Sequence, residues 1–336
     1  MPNRHIYDFV VVGGGLAGIC CAIAASRQGV KTALINDRPV LGGNSSSEIR
    51  VAPNGSAQFN AWTMETGIIE EILLKDRAQN HCQFTCTGTV NSMYDLNLYN
   101  FVMKEENLDL FLNTSVRTVE TETINNNSSI YGKSIKRVHA SQQGSEKELT
   151  FIADQYADCT GDGTVGYLAG AEFRYGREAR SEHNENLAPV EADDQVMGST
   201  ISILARDTGK SAPFIPPDWI KEYKTEEDIG LCRNVGGLNG EQYSGFWWLE
   251  LSNPYHTIDD SDEIRDELLS HLLGVWNYIK NYSENKEQAS NYAIEWIGKL
   301  PGKRESRRLI GDVIVSEKNC RQSRKWPDRV CRSGWF

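Results

Sequence analysis

Residues 7–44 commit the chain to one supersecondary unit. Gly13, Gly15 and Gly18 follow the apolar run Phe9 to Val12 at GxGxxG spacing and lead into an alanine-rich stretch, Leu16 to Gln28. The apolar run is too short for a helix and rich in β-branched residues, so it reads as a buried parallel strand. Gly29 turns the chain, and Thr32 to Ile35 reads as a second strand. The unit is therefore βαβ, with a glycine-rich turn at the start of its helix. Gly13 permits the tight turn, Gly15 lets backbone approach a pyrophosphate, and Gly18 lets helix and strand pack closely. The helix mouth adds unpaired N–H groups and about half a unit of positive charge. Glycine-rich turns are common and the motif alone is weak. Here the strand before it, the helix after it and the small Ala22 on the packing face all agree on a dinucleotide site. The ribose corner departs from the pattern: Asn36, followed by Asp37, stands where Glu or Asp is usual. Either side chain is a candidate to meet a ribose.

The chain of 336 residues has room for two domains, and 39% hydrophobic with 24% charged residues is ordinary for a globular protein. A net charge of −11 argues against nucleic acid as a partner. No apolar run approaches the ~20 residues of a membrane-spanning helix, and the first strand starts with no signal peptide before it, so a cytoplasmic location is expected. The cysteines Cys20, Cys21, Cys82, Cys86, Cys159, Cys232, Cys320 and Cys331 are scattered; the Cys82–Cys86 spacing fits neither a redox pair nor a usual zinc pair, and no run fits an iron–sulfur site.

Leu41-Gly42-Gly43-Asn44 and Ser45 to Ser47 follow the second strand, where a loop can wrap a ligand and serines can donate to phosphate oxygens. Trp62 to Lys75 and Leu96 to Glu106 read as packing helices. Leu108 to Leu112, Val116 to Thr123 and Ser134 to Ala140 read as strands, with a polar turn at Asn125 to Ser129, and suggest a small antiparallel insertion at about residues 108–153. A second strand–turn–helix element lies at Tyr156 to Phe173. In its turn, Thr160-Gly161-Asp162-Gly163, Asp162 is either a hydroxyl acceptor or a helix N-cap.

Together the first βαβ unit, the LGGN loop and the CTGDG turn resemble the FAD-dependent oxidoreductases of the glutathione-reductase-like Rossmann class. They are most similar to the flavoproteins related to fumarate reductase and to the flavin-carrying component of heterodisulfide reductase. The resemblance extends through residues 176–182 and 302–311. It implies an α/β fold, a Rossmann-like FAD-binding domain with an inserted α+β substrate or cap domain. It further implies FAD bound extended, its pyrophosphate at Gly13 to Gly18, its ribose near Asn36 and Asp37, and contacts from Gly42, Gly43, Asn44, Ser45, Gly161 and Asp162, with the Val116 backbone beside the adenine. Domain bounds of 1–173, 174–303 and 304–336 follow. Such flavoproteins close with a late strand and helix facing the flavin. This sequence ends at Ser333-Gly334-Trp335-Phe336, so a truncated chain is expected. Iron–sulfur clusters occur in some of these relatives, but the cysteine spacing here does not support one.

The middle of the chain reads as a strand at Met197 to Ala205, a Pro-rich loop at Phe214 to Trp219, a strand at Ser244 to Leu251 and a helix at Asp259 to Asn281. Trp247 and Trp248 are ordinary core aromatics or a stacking surface. A flavin carries the hydride itself, so the protein must supply a proton carrier and charges that hold a substrate. Arg304, Glu305 and Arg307 form the best candidate cluster, able to clamp a carboxylate or polarise a carbonyl; the alternative is a salt-bridged surface patch. His183 and His256 are candidates and equally ordinary polar residues. The expected activity is hydride transfer between FAD and a small organic substrate, a carbohydrate or hydroxy acid, with an unknown electron acceptor. The alternative is a truncated flavin-binding protein without catalysis. A pyridine-nucleotide disulfide reductase would need a second GxGxxG, which Gly236-Gly237-Leu238-Asn239-Gly240 does not supply.

Overall fold

The structure, a computed structural model, describes residues 3–53, 66–81, 90–124, 132–230, 244–245 and 249–330. The expectations at Met64 and Glu65, Cys82 and Cys86, Asn125 to Ser129, Gly236 to Gly240, Trp247, Trp248 and the last residues lie outside them.

The leading unit forms as expected: strand β1 (Asn3–Val12), helix α1 (Leu16–Arg27) and strand β2 (Thr32–Ile35). Helices α2 (Ile68–Gln79) and α3 (Ser92–Met103) follow, α3 starting earlier than its apolar pattern suggests. The reason is a cap: the Asn91 side chain accepts from the N–H groups of Met93 at 3.0 Å and Tyr94 at 3.2 Å. Strands β3 (Leu108–Phe111), β4 (Thr114–Thr123), β5 (Lys133–Gln142) and β6 (Lys147–Asp158) complete one sheet of order β3-β2-β1-β6-β5-β4. The first four neighbours run parallel, and β5 and β4 continue the sheet antiparallel. The antiparallel insertion is thus not a separate sheet: β3 belongs to the parallel part, and β4 and β5 extend the main sheet. β6 binds it together, pairing with β1 on one side and β5 on the other, which is why it runs twelve residues.

Alternation along the central strands fills both faces. Val11 and Leu34 pack with Ile19, Ala22 and Ile23 of α1 and with Ile72 and Leu98 of α2 and α3. Val10, Val12, Ala33 and Ile35 point the other way, onto Phe151, Val138 and Val165. The result is an α/β fold with a parallel-rich central sheet.

Helix α4 (Thr164–Ala169), strand β7 (Phe173–Arg174), helix α5 (Arg180–His183) and strands β8 (Ser199–Thr200) and β9 (Ile203–Asp207) lead into a second core. The expected strand at Met197 to Ala205 is two strands in different sheets: β8 pairs with β11 (Glu250–Leu251), whereas β9 pairs with β10 (Ser244–Gly245) and β12 (Tyr292–Ile297). Helix α6 (Ser261–Asn277) lays Ile264, Leu268, Leu272 and Val275 into this core, with Asp262 and Glu263 in its first turn, where the dipole favours them. Strand β13 (Arg308–Leu309) then pairs back onto β7, returning the chain to the first lobe. Among the described residues no helix is long and apolar enough to cross a membrane.

The second core carries an acid-sensitive contact. Tyr223 and His271 are joined by a hydrogen bond between the phenol oxygen and Nδ1. Burial pushes the His271 pKa down, the Lys221 ammonium adds to this and Glu267 opposes it. The unfolded chain therefore binds this proton more tightly than the folded one. The contribution is complete above about pH 6.5 and is lost as pH falls from there through the lower folded value. Urea midpoints taken from about pH 7.5 to about pH 5.5 should fall for the parent and fall less for His271→Asn.

Candidate cofactor and active site

A cavity of about 630 Å³ lies at the carboxyl ends of β1, β2 and β6, where open α/β sheets bind ligands. Its floor is the first glycine turn. Gly13 has φ +108°, and a Cβ there would sit 2.2 Å from the Cys159 carbonyl oxygen. A Cβ on Gly18 would sit 1.8 Å from the Gly13 carbonyl oxygen, so Gly18 serves helix–turn packing and is not part of the cavity wall. Gly15 differs from both. It caps α1 at φ −68°, an ordinary value, and a Cβ there would meet nothing within 4 Å, because the position opens into the cavity. No side chain caps α1 and its first turn contains no acidic residue. The helix end therefore presents its positive pole and free N–H groups unopposed.

The second glycine loop lies against the first, Gly42 N–H donating to the Gly14 carbonyl at 2.8 Å. Its serines turn inward: Ser45 Oγ donates to the Gly42 carbonyl at 2.8 Å, and Ser47 hydrogen-bonds Asp95 through both its N–H and its hydroxyl. Asn36 also serves the fold. Its Oδ1 accepts from Gly14 N–H at 3.0 Å, and its amide donates to the carbonyls of Arg38 at 3.2 Å and Val40 at 2.8 Å. Asp37 is exposed beside Arg38 at the same end of the cavity.

The second turn is built by a residue that sequence reasoning passed over. Asp158 Oδ1 accepts from Thr160 N–H at 3.1 Å and Thr160 Oγ at 2.7 Å, and its Oδ2 accepts from Gly166 N–H at 2.9 Å, tying the strand end to α4. The signal was present as an Asp two residues before a Thr at a strand end, an Asx-turn pattern. Asp162 is not the helix cap: that position is Gly163 at φ 61°, and Asp162 forms an ion pair with Lys303. Asp158→Ala removes a charged acceptor from three donors at once. It should lower the unfolding free energy by about 2–3 kcal/mol in urea titrations.

Pro301 and Lys303 to Ser306 line the cavity, in a stretch tied to its surroundings by hydrogen bonds and ion pairs. Gly302 exchanges backbone hydrogen bonds with Thr200, at 2.8 and 3.2 Å. The Lys303 carbonyl accepts from Asn44 Nδ2 at 2.9 Å. Arg304 pairs with Glu250 at 3.0 Å, and Glu305 Oε2 accepts from Met197 N–H at 2.8 Å. Thr257 donates to the Glu305 carbonyl, and Ser306 to the Gly161 carbonyl. Arg307 Nε donates to the Asp162 carbonyl at 3.0 Å while its guanidinium lies 4.0 Å over the Tyr167 ring. The structure thus brings Gly13, Gly15, Asn36, Asp37, Gly42, Gly43, Asn44, Ser45, Val116, Gly161, Asp162, Arg304 and Glu305 around one cavity. Arg307 stands behind the wall, and His183, on α5 next to Glu182, is not in the wall. Lys303 and Glu48, which the sequence did not single out, are in it. No group of three or more His, Cys, Asp and Glu among the described residues is arranged to hold a metal ion.

The chain is 34% identical over 67 residues to glycerol-3-phosphate dehydrogenase of Mycobacterium leprae, a match covering 20% of this chain and 11% of that protein. Glycerol-3-phosphate dehydrogenase 2 of Mycobacterium tuberculosis H37Rv matches with the same figures. The chain thus spans about a tenth of the length of these curated relatives. Among solved structures, it aligns with THI4 of Thermovibrio ammonificans at 15% identity and TM-score 0.36, over 56% of this chain and 76% of that one. It also aligns with a geranylgeranyl bacteriochlorophyll reductase-like protein of Thermoplasma acidophilum at 16% identity and TM-score 0.35, over 61% and 48%. The family model for FAD dependent oxidoreductase matches residues 8–336, from the first buried strand to the last residue. An uncapped helix mouth on a glycine-lined cavity is what such a cofactor requires of a protein, and on the family match this chain belongs to the FAD dependent oxidoreductases.

Proposed function

We propose that FAD lies extended along the cavity, its diphosphate against the N-terminus of α1, and that the protein transfers a hydride between the flavin and a small organic substrate, a carbohydrate or hydroxy acid. The observation that carries this reading is the end of α1: no cap, no acid in the first turn, and Gly15 open toward the cavity. Such an end selects an anion that approaches backbone closely. The bound isoalloxazine supplies the hydride chemistry.

The chain's own residues then have separate tasks. Asp162 and Lys303 sit together in the wall beside the second turn, so that end of the cavity can take hydroxyl groups without presenting an unbalanced charge. Arg304, steadied by Glu250, offers a planar fork to a substrate carboxylate or carbonyl. Glu305, held by Met197 N–H, is the wall carboxylate next to it and the candidate to hold the substrate proton. Arg307 positions the second turn through the Asp162 carbonyl and does not meet substrate.

The test begins with the absorbance spectrum of the purified protein. Flavin bands, or their appearance after reconstitution with FAD, are expected. Anaerobic addition of hydroxy acids and sugars should then bleach the bands with one substrate class. Binding without bleaching by any class would leave a flavin-binding protein without catalysis. A folded sample that cannot take up FAD would remove the reading altogether.

A further inference from the structure

The ribose corner of this cavity is occupied in an unexpected way. Asn36 follows β2 where an acidic residue would ordinarily meet a nucleoside ribose. Its oxygen accepts from Gly14, and both amide hydrogens are engaged by the Arg38 and Val40 carbonyls. An amide has two donors, so Asn36 has none left. It is also buried, at 5% exposure. Asn36 thus fixes the glycine turn, and the hydroxyl acceptor must lie elsewhere in the wall.

Glu48 stands in that wall, half-buried, on the loop after the second glycine pair. The backbone on either side of it is held: Ser47 N–H donates to Asp95, Ile49 and Arg50 N–H donate to the Ser46 carbonyl, and Val51 N–H donates to the Asn44 carbonyl. Its charged neighbours are Arg38, Asp37 and Asp95, which puts it at the end of the cavity formed by residues 36–38. No hydrogen bond or ion pair joins Glu48 to any other described residue. Burial raises its carboxyl above the usual range, with Asp95 and Asp37 adding to this and Arg38 opposing it. A desolvated carboxylate without donors is costly to maintain unless a ligand supplies them. A phosphate would be repelled there, whereas a vicinal diol offers two O–H donors to a group that accepts with both oxygens.

We infer that Glu48 is the residue that binds the ribose diol of the adenosine half of the cofactor, replacing the occupied Asn36 in that role. The inference rests on the proposed FAD site and goes beyond it by assigning the hydroxyl acceptor. Asp37 is the competing candidate, but it is exposed and already beside Arg38 at 3.8 Å.

The test uses the full chain, freed of flavin, and three probes: ADP, 2′,3′-dideoxy-ADP and IDP, each titrated calorimetrically. The parent should bind ADP at least about tenfold more tightly than the dideoxy compound, the value of a charge-assisted hydrogen bond. Glu48→Ala should bind the two equally, with ADP weakened to the dideoxy level. Glu48→Gln keeps the side-chain shape and one acceptor, and should retain a preference of only a few-fold; it also decides the matter if the alanine variant folds poorly. Undiminished preference in both Glu48 variants, or its loss in Asp37→Asn instead, overturns the inference. So does a Glu48→Ala variant that loses discrimination between ADP and IDP while keeping that between ADP and the dideoxy compound, since the carboxylate would then read the adenine amino group. If the parent binds neither ADP nor FAD, the dinucleotide site falls and this assignment with it. FAD binding with unaltered ribose preference removes this assignment alone.

Discussion

Gly15→Asp should weaken flavin binding severely and leave the fold as stable as before, or slightly more so. The two effects have opposite signs for one physical reason. Gly15 is the N-cap of α1 at φ −68° and ψ 174°, a conformation open to any residue, and an added Cβ would meet no atom within 4 Å. Aspartate is among the preferred N-caps, and its carboxylate would accept from the unpaired N–H groups of the first turn and complement the helix dipole, worth about 0.5–1 kcal/mol. The same carboxylate occupies the place proposed for the diphosphate and repels it. Affinity for FAD should fall at least about a hundredfold, combining the loss of backbone donors with like-charge repulsion in a partly desolvated cleft. Thermal denaturation of the flavin-free protein, paired with FAD titration by fluorescence, separates the two readouts. Gly18→Ala supplies the contrast: its Cβ would lie 1.8 Å from the Gly13 carbonyl oxygen, so the backbone must move and the fold itself should suffer. Unchanged FAD affinity in Gly15→Asp would mean that the helix mouth is not the phosphate site.

What could be read in advance follows from how local each cause is. The leading βαβ unit was legible because its glycines, its strand alternation and its alanine-rich helix act within a few residues of one another. Strand β6 was legible only at its end. Its sequence, Lys147 to Asp158, mixes polar and apolar residues, and its length comes from partners far away, β1 on one side and β5 on the other. Asn36 shows a different limit. Residue type at the ribose corner marked a departure, but only the contacts of its amide show that it serves the glycine turn. Residues 304–308 read as a charge cluster, and whether a charge cluster is a site or a surface depends on where its partners lie. Those partners are Glu250, Met197, the 161–162 turn and, for Arg308, Gly176 and Glu178, all distant in sequence, and they divide the cluster: Arg304 and Glu305 face the cavity while Arg307 supports its wall. The split of the Met197 to Ala205 strand belongs to the same class, since an apolar run cannot say that its two halves join different sheets.

Lys280→Met should be the most damaging substitution in the second lobe. Lys280 follows α6 in a wide helical turn, Tyr278–Tyr282, and is only 7% exposed. Its ammonium donates to the carbonyls of Ala289 at 2.5 Å, Ser290 at 3.1 Å and Tyr292 at 2.8 Å. An ammonium has three donors, and here each is used to hold the turn that delivers the chain into β12. Methionine keeps the length and apolar stem of the side chain, so packing against the neighbouring core is largely preserved. What it removes is the donor for those carbonyls, about 1–3 kcal/mol for each one left unsatisfied, offset in part because no ammonium need be desolvated. A net loss of about 3–5 kcal/mol in urea unfolding is expected. Lys280→Arg should not restore it, because a planar fork spreads its N–H groups and cannot direct three of them from one point. Hydrogen exchange should localise the damage to residues 283–297, while FAD affinity of the folded fraction stays unchanged, the cavity wall containing none of these residues. A methionine variant within about 0.5 kcal/mol of the parent would show that water satisfies those carbonyls as well as the lysine does.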